Sequence, residues 1–458
     1  MVYTITQVNC QEKNKIQPKY CVWKELLLAF IFNVPFFTHG VESTHLTTSI
    51  HSGHFISSKN VPWATTAMVV SAAVAGPIFC YVIDRFGRKT GIFTISMLQA
   101  ATLIPHFLLN QKNIFTVEIV LHILAGITSG GLFTILPIYV REITLLRGLC
   151  VCVMIVMTTA GYAMKLVMTL EERLYLMVGL VAVQLFSIML MVESPSYMVM
   201  KKNYENARRN LSKLRLLPED CDAITKEISN LKDESERAKS NGKLSVYTVY
   251  RTKVWLDAIK MGFVLYTVNV LCGSLLFLDE HKTLIQLPLT KDPESKLVLA
   301  CLLGGSVSCL ICVAFLDKKY ILMIGYSIIT VASGVLAVYT QVDLPVTTLS
   351  IIPVVSLGIL VFGYGIAWGL PTVLMVEIFN MEIRATFIGI IYAYSQIIKL
   401  AHVHTFKYLE YYIGVYTMFY IFAGVNLYGV VYVLFVVPKT RNMSNRKIEK
   451  QLRRPSLC

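Results

Sequence analysis

The chain has 458 residues, of which 55% are hydrophobic and only 15% charged, where a soluble domain carries roughly 25% charged residues. Its long apolar runs point to a polytopic helical membrane protein, since an open sheet leaves backbone groups unpaired in lipid and a barrel alternates in short segments. The net charge of +14 is gathered in particular loops between those runs, a pattern of membrane orientation that speaks against nucleic acid as a partner.

Taken in chain order, the first apolar run begins near Tyr20, after a polar segment with Lys13, Lys15 and Lys19 and with Lys24 at its edge. It is long enough to span, so it reads as a first transmembrane helix with a cytoplasmic start and not as a cleavable signal. Twelve spans are predicted, at 22–41, 62–83, 91–109, 114–139, 149–169, 174–192, 257–278, 297–316, 320–340, 347–376, 385–405 and 412–437. Between the second and third lies VIDRFGRKT, which concentrates Asp84, Arg85, Gly87, Arg88 and Lys89 in one turn. Asp84 would end a helix, where the macrodipole disfavours an anion unless cations lie close. Gly87 permits a tight turn, and the cations can pair with Glu142, Glu193 or Glu377 at neighbouring helix ends. On the fourth span Glu118 and His122 stand four apart on one face and can pair, which makes them candidates for a proton-linked role. The segment REITLLRG follows, with Glu142 and Arg147.

The only large polar segment, 193–256, splits the spans six and six. In it Ile224, Ile228 and Leu231 recur at helical spacing among many charges, predicting short amphipathic helices beneath the membrane domain. The later charged loops are DKKY at 317–320 and MEIRA at 381–385. The loops ESTHLTT, LEERL, LDEHK and QVDLP alternate with these and hold few cations. One topology results, with both termini cytoplasmic. The eleven cysteines are scattered and odd in number, forming neither a disulfide framework nor a zinc spacing.

The halves repeat each other. Asp84 precedes Glu142 by nearly the interval that separates Asp317 from Glu377, and Glu142/Arg147 is echoed by Glu377/Arg384. The expected architecture is therefore all-α: an N-terminal six-helix half (1–192), a cytoplasmic helical linker (193–256), and a C-terminal six-helix half with a basic tail (257–458). Repeated halves with a site between them are the mark of an alternating-access transporter.

AGPIFCYVIDRFGRK (75–89), LPIYVRE with RG (136–148), VESPSYMV (192–199), VLMVEIFNMEIRA (373–385) and the stretch from Thr405 to Thr440 together resemble the sugar-porter branch of the major facilitator superfamily. Within it the chain looks most like the facilitated trehalose transporters of insects. The resemblance implies that Asp84, Arg85, Gly87, Arg88, Lys89, Glu142, Arg147, Glu193, Glu377 and Arg384 latch the cytoplasmic side in the outward-open state.

The resemblance also exposes departures at the substrate site. The fifth-span Gln of the family falls at Ile155. The seventh-span Gln-Gln-x-Ser-Gly-x-Asn falls on Asn269, Val270, Gly273 and Leu275. The tenth-span Trp falls at Thr372, with Trp368 one turn earlier, and the eleventh-span Asn falls at Gln396. Asn269 and Gln396 are the polar side chains best placed for a hydroxylated solute. Proton-driven relatives keep an acid in the first span and a cation in the fourth; here Thr38-His39 and His122 occupy those places. Transport is therefore expected to be facilitated. DKKY lacks the Gly and Arg of its counterpart and Lys439 stands where the family has Glu, which predicts a weaker second-half latch.

No nucleophile–base pair, phosphate loop or metal cluster stands out, so no enzyme activity and no cofactor is expected. The leading expectation is a facilitative carrier of trehalose or a hexose in the plasma membrane, with lipid around it and a small solute as its partner. Two alternatives are a non-transporting sugar sensor and a carrier of a less polar organic solute, both favoured by the lost hydroxyl-binding side chains. The Asn-x-Ser matches at Asn210 and Asn442 fall on the cytoplasmic side, where no glycan is added.

Overall fold

In the computed structural model, which describes residues 18–51, 61–109, 115–240, 253–273, 293–342, 351–441, 443 and 445–452, the regular elements among the described residues are all helices. The first span is two helices, α1 (Pro18–Phe32) and α2 (Val34–His51), bent by 42°. Pro35 has no N–H for the helical ladder, so the bend falls beside it. Beside it the Asn33 side-chain amide donates to the Ala29 carbonyl at 2.6 Å, which also accepts the Asn33 N–H at 3.0 Å. Then come α3 (Val61–Phe86), α4 (Arg88–Leu109), α5 (Phe115–Ile143), α6 (Arg147–Ala163) and α7 (Leu170–Leu190). Three short helices link the halves: α8 (Pro195–Met200), α9 (Tyr204–Arg215) and α10 (Asp222–Ser240). The second half holds α11 (Lys253–Leu271), α12 (Pro293–Phe315), α13 (Lys318–Gln341), the broken pair α14 (Ile351–Ala367) and α15 (Leu370–Ile378), α16 (Arg384–Ile413) and α17 (Val415–Val436). A tail helix, α18 (Asn445–Leu452), ends the described chain.

Ten helices among the described residues are long and apolar enough to cross a membrane, and the bent α1/α2 pair makes eleven. α4 completes the twelve. It is less apolar because Ser96, Gln99, Thr102 and His106 lie on it, but all four are buried against the bundle and do not face lipid. The halves are built alike: α3 packs on α5, α4 on α5 and α7, and α2 on α6, while α12 packs on α14, α13 on α14 and α17, and α11 on α16. They meet each other along α3/α16 and α6/α12. This is a twelve-helix bundle built as two like halves.

Several predicted borders move. ESTHLTT is not a loop, since α2 runs through it to His51 with Glu42, Thr44 and His45 buried. Polar side chains that face the bundle lower the apparent hydropathy without ending the helix. LEERL is likewise the first turn of α7, closed by a capping box in which Thr169 and Glu172 bond each other's backbone N–H. α16 continues to Ile413. Residues 274–278 of the predicted seventh span, Leu275 with them, lie outside the described residues, as do LDEHK, residues 343–345 of QVDLP, Lys13, Lys15 and Asn442.

Ile224 and Ile228 of α10 are buried in a small core with Val199, Ala207, Leu211 and Cys221, and Leu231 packs at its edge. The linker helices grip both halves from one side. Arg215 of α9 donates to the Ile143 carbonyl at 2.9 Å and pairs with Glu25 at 3.5 Å and Glu227 at 2.8 Å. Ser235 of α10 donates to Glu382 of the second half at 2.9 Å.

Candidate functional site

On the linker side, α3 and α4 are separated by a single residue, Gly87, at φ +106°. A side chain there would be strained by the backbone and would strike the Glu193 carboxylate. That carboxylate accepts from the N–H groups of Arg88 at 2.8 Å, Lys89 at 3.3 Å and Ser194 at 3.0 Å. It thus caps the first turn of α4, where N–H groups lack helical partners and the dipole favours an anion. Arg88 is wholly buried. Its Nε donates to Glu142 at 3.1 Å, its Nη1 lies 3.4 Å from Asp84, and its guanidinium stacks over Tyr197 at 4.9 Å. Burial raises the Tyr197 pKa above the ordinary tyrosine range, and its hydroxyl donates to the Arg85 carbonyl at 2.9 Å. Lys89 donates to the Met191 carbonyl at 2.7 Å. Arg85 points the other way, exposed and bonded to Tyr81 at 3.3 Å.

Glu142 is where the halves are joined. It accepts from Arg88, from Ser194 Oγ at 2.5 Å, and from Arg384 of the second half at 3.3 Å. Arg384 is held in place by two bonds to the Phe379 carbonyl, at 3.2 and 3.0 Å. In the other direction Arg141 donates to the Glu377 carbonyl at 3.5 Å. The repeat suggested Glu142/Arg147 as a local pair, whereas Glu142 pairs across the halves. Arg147 is exposed at the start of α6 and lines a small pocket with Arg141, Arg384, Glu227 and Glu234. DKKY is not inert either: Lys318 pairs with Glu377 at 3.1 Å. Gly148 leaves room for that pair, since a Cβ there would meet both Glu377 Oε1 and Lys318 Nζ. Asp317 caps α13 through the Lys319 N–H at 3.1 Å and also accepts from the Arg441 N–H at 3.2 Å. Lys439 sits over the Tyr320 ring at 5.4 Å. The second-half turn therefore lacks the arginine of the first yet keeps an ion pair and holds the tail.

Midway along the spans, rings from both halves meet. Phe133 of α5 stacks on Tyr392 of α16 at 6.3 Å and meets Trp368 edge-on at 6.3 Å. The hydroxyls of Ser129 and Tyr392 bridge the halves at 3.3 Å. Trp368 lies at the break between α14 and α15, with its indole N–H buried and without a hydrogen-bond partner among the described residues. Asn269 Oδ1 is in the same condition. Buried polar groups are normally satisfied, so these two stand out among the described residues. Gln396 is half-buried one turn past Tyr392 on α16. Thr372 is already engaged with the Tyr266 hydroxyl at 2.8 Å. Ile155 is fully buried and lies against the break itself, where a Cβ on Gly369 would meet its Cγ1.

His122 and Glu118 do not pair side chain to side chain. His122 Nδ1 bonds the Glu118 carbonyl at 2.8 Å, and both Glu118 carboxylate oxygens have no hydrogen-bond partner among the described residues. Sequence reasoning passed over Phe133, Ser129, Tyr266, Tyr392 and Tyr394, although the run YAYSQ, polar and aromatic inside an apolar span, was a signal. It also passed over Gln184, which donates to Ser96 at 2.5 Å and Gln99 at 2.6 Å and ties α7 to α4.

A family model described as "Sugar (and other) transporter" matches residues 9–452. The facilitated trehalose transporter Tret1 of Bombyx mori is 22% identical over 456 residues, which is 95% of this chain and 88% of that protein. The facilitated glucose transporter member 5 of solute carrier family 2 from Equus caballus is 24% identical over 392 residues, 81% of this chain and 76% of that protein. Among solved structures, the major facilitator superfamily proton:xylose symporter XylE bound to 6-bromo-6-deoxy-D-glucose matches with a TM-score of 0.78 at 15% identity, covering 95% of this chain and 99% of that one. The transporter FucP in its outward conformation matches with a TM-score of 0.57 at 12% identity, over 91% of this chain and 100% of that one. At these identities the structural matches speak to the fold.

Proposed function

The chain belongs to the sugar transporter family, and from that premise we propose that it carries trehalose or a hexose down its gradient by alternating access. Its relatives are transporters, not enzymes. The observation that carries the mechanism is the Arg384–Glu142 pair, which joins the halves on the linker side through fully buried charges. With that side shut, solute enters from the other. Rocking of the halves, 1–192 against 257–458, then breaks Arg384–Glu142 and the Arg141–Glu377 contact and opens the linker side. We take that side as cytoplasmic and the membrane as the plasma membrane, in keeping with the positive loops.

Asp84, Gly87, Arg88, Lys89, Glu142, Glu193, Glu377 and Arg384 form the latch in this scheme, with Arg147 at its rim and Arg85 outside it. A sugar ring offers apolar C–H faces to Phe133, Tyr392 and Trp368, and its hydroxyls to Asn269, the Trp368 N–H and Gln396. Tracer uptake in a transporter-null cell, with trehalose, glucose and fructose competed against amphiphilic solutes, tests the reading. Uptake that no sugar inhibits would overturn it. A second reading has its own observation. Ile155 packs on the span break where the family has a hydroxyl-binding Gln, which suits a less polar solute or a sensor that binds sugar without moving it. Restoring Gln at Ile155 and Val270 separates the cases, since sugar affinity rises in a sugar site and binding without uptake marks the sensor.

A further inference from the structure

Four histidines, two glutamates and an arginine are buried together in the first half, on the side away from the linker. α2 carries His39, Glu42 and His45, α4 carries His106, α5 carries Glu118 and His122, and α7 carries Arg173; the most exposed of them, His45, is 7% accessible. The His45 and His106 rings meet edge to face with centroids 4.5 Å apart. His106 lies within electrostatic reach of His122, and His122 of Glu42. Glu42 Oε2 is 3.9 Å from His39 Nδ1. His39 in turn meets Phe133 edge-on at 5.6 Å, and Phe133 belongs to the ring set between the halves. A file of titratable groups thus leads from the helix ends toward the middle of the molecule.

Its surroundings set the charge balance. Arg173 interacts with His45. Lys165, on the 3-10 turn Met164–Leu166 that packs on α2, is half-buried at the rim. Tyr162 is the remaining titratable group at that end of α6, and Glu171 and Glu172 of α7 face outward. Glu42 lies beside His39 and within electrostatic reach of His122, Arg173 acts on His45, and Glu118 joins the cluster through its backbone carbonyl on His122 Nδ1. Both oxygens of Glu42 and of Glu118, both ring nitrogens of His106, and Nδ1 of His39 and His45 have no hydrogen-bond partner among the described residues. A carboxylate so placed is costly unless it is neutralised. A proton taken up by a neighbouring imidazole gives the Glu42 carboxylate a cationic partner, and imidazole binds and releases protons between about pH 5 and 8.

We propose that this cluster is a proton-binding site whose occupancy sets the rate of facilitated transport, loading from the side away from the linker. The effect on rate rests on the carrier function proposed above, whereas the site itself does not. The test uses the purified full-length chain in liposomes, with the same pH inside and out, and follows counterflow of labelled trehalose and glucose. The wild-type rate changes by about threefold or more between pH 5 and 8, and the change is flattened in E42Q and in the double variant H45N/H106N. A flat wild-type profile, or variants that keep the wild-type profile, would overturn the proposal. The sugar-free protein is also compared by infrared difference spectroscopy across the same pH range. Bands of a titrating carboxyl or imidazole that vanish in E42Q or H106N support the site, and their absence from the wild type overturns it. If no sugar exchanges at any pH, the carrier reading fails and the infrared result alone decides the site.

Discussion

At Glu142 a single carboxylate holds two arginines that are themselves out of water, one from each half. Removing it leaves Arg384 buried with its bonds to the Phe379 carbonyl and Arg88 with Asp84, and breaking a buried pair from one side costs about 3–5 kcal/mol. Glu142→Gln is therefore expected to lower the melting temperature in detergent markedly. Arg85→Ala, which removes an exposed cation from the same motif, should leave it nearly unchanged. A melting curve for each variant checks the contrast, and equal effects would mean that the motif acts as a net charge instead of through Arg88. Gly148 gives a second test at this scale. Gly148→Val drives two methyl groups into the Lys318–Glu377 pair, so closure on the linker side should be impaired. The expected outcome is transport reduced about tenfold or more with near-normal expression, a barrier change of about 1.4 kcal/mol or above.

Among the elements, the break in the tenth span and the strap of linker helices have separate duties. The break leaves the buried Trp368 N–H without a hydrogen-bond partner among the described residues and seats Ile155 against Gly369. The strap ties the start of the first span to the end of α5 through Arg215, whose partners are Glu25, Glu227 and the Ile143 carbonyl. Arg215→Ala leaves Glu25 buried with one bond, from the Leu145 N–H. It is expected to cost about 3 kcal/mol, read as lost thermal stability and as faster proteolysis of the linker. A protease pattern identical to wild type would show that the strap is held by its apolar core alone. These elements were legible in the sequence to different degrees. The DRFGRK turn at Gly87 and the Ile224/Ile228 stripe carried their geometry in residue type and spacing. The continuation of α2 through ESTHLTT did not, because hydropathy cannot tell a polar residue facing a bundle from one facing water. Nor could spacing reveal that Glu142 pairs with Arg384 and not Arg147, since that choice depends on how the halves are pressed together. The ring set of Phe133, Tyr392 and Trp368 comes from three separate spans and exists only once they meet.

For the whole molecule, the issue is what sets the balance between states closed and open on the linker side. Two arrangements cross the halves there: Arg384 with Glu142, and Arg141 with the Glu377 carbonyl, the latter carboxylate being held by Lys318. In the alternating-access scheme proposed above both exist only while that side is shut, so weakening them is expected to raise the energy of the closed state without touching the open one. Shared contacts couple the two sites, and their effects should not simply add. If the double variant E142Q/E377Q removes about 3 kcal/mol of the closed state's advantage, the ratio of states moves by roughly a hundredfold. Leu145 and Leu316 are exposed on the linker side, one on each half, and can be replaced by cysteines for spin labels. The distance distribution between the labels is expected to shift to longer values in the double variant and to return when the halves are closed again by a ligand favouring that state. A distribution that stays as short as in the unaltered latch would mean that α3/α16 and α6/α12 packing alone holds this side shut, with the charges serving only to fix the ends of the helices.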